Sequence, residues 1–60
     1  MIVYKLSNKH GDSYINNSLK NIVQELHWLM EDAELDESYT LQPIEMSNTE
    51  YNELPEFEGF

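Results

Sequence analysis

His27 and Glu31, four residues apart, are the pair in this sixty-residue chain whose types and spacing best suit a shared metal ion, because positions i and i+4 project from one side of a helix. Such pairs are common by chance, and this one reads as a solvated histidine beside a carboxylate. His10, in a turn, reads the same way. Glu31, Asp32, Glu34, Asp36 and Glu37 have the composition of a calcium cluster. They lack the alternating acids, the glycine and the terminal bidentate glutamate of a calcium loop, and read as a solvated acidic face. Cysteine is absent, which excludes thiolate zinc sites. There is no glycine-rich phosphate loop and no nucleophile paired with a base. The expectation is a protein that is not an enzyme, with no catalytic residue, no metal and no cofactor.

What remains is charge and aromatic surface. Eleven carboxylates and no lysine or arginine lie between Asn21 and Phe60, whereas Lys5, Lys9 and Lys20 share the first twenty residues with Asp12 alone. A net charge of −9 must be met by water or by a basic partner. Nucleic acid and anionic lipid repel such a chain, so neither direct nucleic-acid binding nor a membrane is expected. A basic protein is the natural partner. An alternative is that Glu25, Glu31, Asp32, Glu34, Asp36 and Glu37 mimic duplex DNA, which carries one charge per about 1.7 Å of axis.

Trp28 is the most informative of the aromatic residues. At about 100° per residue it projects opposite the apolar stripe of its helix, amid Gln24, Glu25, Glu31 and Asp32. Either the short C-terminal helix (Tyr51, Leu54) or the aromatic tail (Phe57, Phe60) folds over it, or it anchors an interface with a second copy or a foreign target. The C-terminal stretch interleaves Tyr51, Glu53, Glu56, Phe57, Glu58 and Phe60, an apolar and anionic strip suited to a basic groove with hydrophobic pockets. The same strip would also serve as a tail that covers the core. The candidate partner-binding residues are therefore Gln24, Glu25, Trp28, Glu31, Asp32, Tyr51, Glu53, Glu56, Phe57, Glu58 and Phe60.

The elements that must position these residues follow from periodicity. Ile2 to Ser7 alternates as a half-buried strand, with Ile2, Tyr4 and Leu6 on one side and Val3, Lys5 and Ser7 on the other. Asn8 to Asp12 supplies a turn in which Gly11 takes positive φ, and Ser13 to Asn16 returns as a second strand. Asn17 and Ser18 suit an N-cap. Leu19, Ile22, Val23, Leu26, Leu29, Met30 and Ala33 then mark one face of a helix running to Ala33 or Glu34, roughly 24 Å long. Acids at its C-terminal end oppose the macrodipole. Tyr39 to Met46 reads as a strand broken by Pro43, which confines it to an edge, a bulge or one-sided pairing. Ser47 and Glu50 form a capping box that opens a short helical turn ending near Leu54, before Pro55.

These elements predict a single α+β domain over residues 1–60, with two or three antiparallel strands packed on one long amphipathic helix, a short C-terminal helical turn and an aromatic tail. A hydrophobic content of 40% argues for a folded chain despite its charge. So short a chain buries only about 60% of its unfolded surface, and without disulfides a homodimer is the expected remedy. The apolar start, Met1-Ile2-Val3-Tyr4, is too short for a secretion signal or a membrane span, which predicts a cytoplasmic location.

The helix over Ser18–Ala33, its flanking strands and the ending Met46-Ser47-Asn48-Thr49-Glu50-Tyr51-Asn52-Glu53-Leu54-Pro55-Glu56-Phe57 resemble small acidic anti-defence proteins encoded by bacteriophages. Among the groups this chain looks like, the very short inhibitors of bacterial anti-phage systems, with the Hachiman anti-defence proteins among them, fit best. The resemblance lies in size, charge and element order and carries over no individual residue. It implies a non-enzymatic inhibitor, acting in the host bacterial cytoplasm, that binds and blocks a nucleic-acid-processing or defence protein such as a nuclease or helicase. The alternative is a small regulatory or adaptor subunit, or a structural homodimer, that docks by its hydrophobic face and uses its acids only for solubility.

Overall fold

The computed structural model describes residues 1–57 and 59–60. Its elements run β1 (Ile2–Asn8), β2 (Ser13–Asn16), α1 (Leu19–Asp32), β3 (Tyr39–Glu45) and α2 (Asn48–Asn52). The sheet is antiparallel in the order β2-β1-β3, so the first strand is central. A tight turn joins β1 to β2, and Asn8 builds it. The Asn8 side-chain oxygen accepts from the His10 and Asp12 amides at 3.0 and 2.9 Å, and Gly11 closes the turn at φ +90°. A Cβ on Gly11 would meet nothing within 4 Å, so the backbone angle, not space, requires glycine.

Ser18 caps α1, its hydroxyl accepting from the Asn21 amide at 3.3 Å. Asn16 fixes the approach by accepting from the Ser18 amide at 2.8 Å. The helix ends at Asp32, short of the expected Ala33 or Glu34, because Ala33 turns to extended backbone while its amide still reaches the Met30 carbonyl. Its fourteen residues span about 21 Å.

The half-buried reading of β1 is corrected. Val3 and Leu6 are both 0% exposed, and their spacing of three on a strand of regular register places them on opposite faces. The central strand is thus closed on both sides, while Ile2, on the same side as Leu6, is 54% exposed at the end of the strand. Ile22 of α1 is also fully buried. The helix packs on β1 and β2 and not on β3. Two strands, with neighbours about 4.8 Å apart, are too narrow to cover the whole apolar stripe. Leu19, Val23 and Met30, expected in the core, accordingly stand 44%, 49% and 46% exposed.

Pro43 does not break β3, which pairs with β1 without interruption from Tyr39 to Glu45. The ladder continues past it, since the Met46 amide donates to the Met1 carbonyl at 2.9 Å. Met46 therefore faces β1, as do Ile44, Gln42 and Thr40, while Tyr39, Leu41, Pro43 and Glu45 turn their backbone groups outward. The proline deletes an outward donor and costs the ladder nothing. The opposite edge is treated differently. The outward Asn17 amide, just past β2, donates to the Tyr51 hydroxyl at 3.1 Å, and a hollow between β2 and the tail is lined by Leu54, Pro55 and Phe57. The capping box of α2 is formed in both directions, Ser47 accepting from the Glu50 amide at 3.1 Å and Glu50 accepting from the Ser47 amide at 3.4 Å. Among the described residues no helix is long and apolar enough to cross a membrane.

Candidate acidic and aromatic interface

Cross-strand partners share a face, so Tyr14, opposite Leu6, and Tyr39, opposite Asn8, lie on the Leu6 side of the sheet. The tail bridges them. Phe57 stacks on Tyr14 with ring centroids 4.2 Å apart, Phe60 meets Phe57 edge-on at 5.3 Å, and Phe60 meets Tyr39 at 6.0 Å. The two edge-on contacts are of the kind that aromatic quadrupoles favour.

Beside this row opens a hollow of about 580 Å³, lined among others by Glu25, Trp28, Leu29 and Asp32 of α1 and by Tyr39 and Phe60. Trp28 is 55% exposed within it. The placement of Trp28 opposite the core is corrected, since at about 100° per residue it stands roughly 130° from the direction of Ile22, Leu26 and Leu29. It occupies a flank of the helix with Glu25 and Asp32, on the side of the β1–β2 turn. The tail reaches the same hollow through Phe60 without burying the indole.

The expected residues divide into groups. Glu25, Trp28, Asp32 and Phe60 come together. Tyr51 and Phe57 are half-buried and committed to internal contacts, Tyr51 donating its hydroxyl proton to the Asn17 side chain at 3.3 Å and Phe57 stacking on Tyr14. They hold the tail in place instead of presenting a surface. Glu53 and Glu56 are exposed on the path of the tail. Gln24 and Glu31 are exposed on α1 but do not line the hollow. Glu58 lies outside the described residues. Tyr39 and the turn residues Asn8, Lys9, His10 and Asp12 line the hollow and escaped the sequence reading, because the β1–β3 register sets Tyr39 beside Asn8 and the packing of α1 on β1 and β2 brings the turn to the helix.

The electrostatics are nearly unrelieved. Among the described residues the ion pairs are Lys9 with Asp36 at 3.1 Å and His27 with Glu31 at 2.8 Å, the second charged only when the imidazole is protonated. The first clips the β1–β2 turn to the segment before β3 and uses the lysine nearest the hollow. Burial raises the Tyr14 phenol above its ordinary 10.0, helped by the Glu25 carboxylate and Tyr51 and opposed by the Asn16 hydrogen bond. Partial desolvation and then Glu37 raise Tyr39 likewise. Both phenols stay neutral at physiological pH. Among the described residues no group of three or more His, Asp or Glu side chains is placed to hold a metal ion. Comparison with protein-family models, with curated proteins and with solved structures finds no match to this chain.

Proposed function

We propose that the chain is a non-enzymatic inhibitor of the phage anti-defence kind, whose acidic, aromatic flank occupies a basic site on a host nucleic-acid-processing or defence protein. The observation that carries this reading is the 55% exposure of Trp28 between Glu25 and Asp32, beside the aromatic row, in a hollow where Lys9 is held by Asp36. An indole in that setting gains most by entering a partner's pocket, and the carboxylates steer the approach of a basic surface. Carboxylates on α1 and along the following segment to Glu37 extend the anionic surface, which suits a cleft that otherwise holds nucleic acid.

The test is capture of partners from a bacterial lysate on the immobilised chain at about 50 mM and about 500 mM salt, with Trp28→Ala as the comparison and duplex DNA as competitor. The reading requires a basic protein retained at low salt, released at high salt and lost with Trp28→Ala. Displacement by DNA assigns the partner's nucleic-acid site, whereas capture indifferent to both salt and Trp28 overturns the proposal.

A further inference from the structure

We infer that α1 pairs antiparallel with α1 of a second copy of the chain, about a two-fold axis, through the row Leu19, Val23, Leu26 and Met30. This surface is the helix flank away from Trp28, so the inference does not depend on the function proposed above. The row advances by steps of four, three and four, which keeps it on one line along the helix. Three of its members are 44–49% exposed and Leu26 is half-buried. The chain holds few other reserves, since Val3, Leu6 and Ile22 are its fully buried hydrophobic residues. A fold with so small a core gains from covering such a seam.

Charge selects both the occupant and the direction. Copies carrying −9 each repel, and can meet only through a face without carboxylates, which this row provides. Beside it runs a second row with the same steps, Lys20, Gln24, His27 and Glu31. An antiparallel alignment that sets Leu19 on Met30 of the second copy, and Val23 on its Leu26, also sets Lys20 opposite Glu31 and Gln24 opposite His27. Each contact occurs twice by symmetry. A parallel alignment would instead turn this row toward the opposite flank of the second helix, where Ile22 is buried, and leave Lys20 and Glu31 unmatched. Lys20 is exposed and makes no ion pair among the described residues. The sheet edges offer a poorer route, because Pro43 removes a donor from the centre of β3 and the tail flanks β2.

Sedimentation equilibrium of the full chain from about 10 µM to about 1 mM, at about 50 mM and about 500 mM salt, tests the inference. A dimer is expected, and it should tighten with salt because the net repulsion is screened. Val23→Glu, at a half-exposed position, should abolish it while far-ultraviolet circular dichroism stays unchanged. Lys20→Glu and Glu31→Lys should each weaken it roughly tenfold, and the double exchange should restore it. Glu31→Lys is the sharpest arm, because it makes each copy less acidic and would strengthen any dimer limited by net charge alone. A chain monomeric throughout this range at high salt, a dimer indifferent to Val23→Glu, or a double exchange that fails to restore would each overturn the inference.

Discussion

The two flanks of α1 differ in what they offer and in how salt should act on them. One sets Trp28 between Glu25 and Asp32 beside an aromatic row, and the other sets Leu19, Val23 and Met30 in a line without acids. Both arise from the same cause. A helix resting on two strands of a three-stranded sheet buries a narrow stripe and leaves residues on either side of it half in water. Burial on one helix thus separates two kinds of surface, one acidic and aromatic and one apolar and free of acids.

The largest effect should come from removing what lies between the flanks. Ile22 is fully buried, and Ile22→Ala should cost about 2–5 kcal/mol, enough to leave much of so small a fold unfolded. Its neighbour Val23 is 49% exposed, and Val23→Ala should cost no more than about 0.5 kcal/mol. Urea denaturation of the two variants compares them directly. Equal losses would mean that the stripe is wider than the structure has it.

The next effect separates the flanks by function. Trp28→Ala should weaken capture of a basic partner by about 2 kcal/mol or more, the range of an aromatic hot spot, and leave self-association untouched. Val23→Glu should do the reverse. Titrating each variant against the captured partner, and against itself by sedimentation, gives four readings. A single variant that abolishes both activities while remaining folded would merge the two flanks into one surface.

The sequence carried the order of elements well, because each depends on local chemistry. The alternation in Ile2–Ser7, the turn around Gly11 and the caps at Ser18 and Ser47 are set within a few residues of where they act. Burial was less legible. The apolar stripe of α1 reads as one face, but its width in the fold is fixed by how many strands lie beneath it, and that is a tertiary quantity. Val3 and Leu6 show the same limit, since alternation gives opposite faces without telling that both are covered. The acidic and aromatic composition of the site was readable, whereas the separation of Trp28 and Phe60 from Phe57 and Tyr51 was not. Phe57 and Phe60 sit three residues apart in similar surroundings, and only the position of Tyr14 assigns the first to packing.

A smaller effect should follow from removing the tail. Truncation after Leu54 takes away the Phe57 stack on Tyr14 and the Phe60 contact with Tyr39, and should lower stability by about 1–3 kcal/mol. The loss should be felt on the Trp28 side, with partner capture weakened and the self-association constant changed by less than about threefold. A truncated chain as stable as the full one would show that the aromatic row contributes no packing energy.

The smallest effect concerns alkaline pH and again distinguishes the flanks. Tyr14 and Tyr39 are held above the ordinary 10.0 in the folded chain, Tyr14 by burial and then by Glu25 and Tyr51, Tyr39 by partial desolvation and then by Glu37. Above 10.0 the unfolded chain gives up these protons while the folded chain keeps them. The unfolded state then binds fewer protons, and stability falls with rising pH until the folded values are passed. Below 10.0 the contribution is fully present. Both phenols belong to the aromatic row beside Trp28, and the row Leu19, Val23, Leu26 and Met30 contains no ionisable group. Urea melts followed by Trp28 fluorescence between about pH 8 and about pH 11 should therefore show a decline that Tyr14→Phe makes shallower. Lysine deprotonation acts alike on both chains, so the difference in slope isolates Tyr14. Identical slopes would mean that neither burial nor the neighbouring Glu25 carboxylate holds the Tyr14 proton in the folded chain.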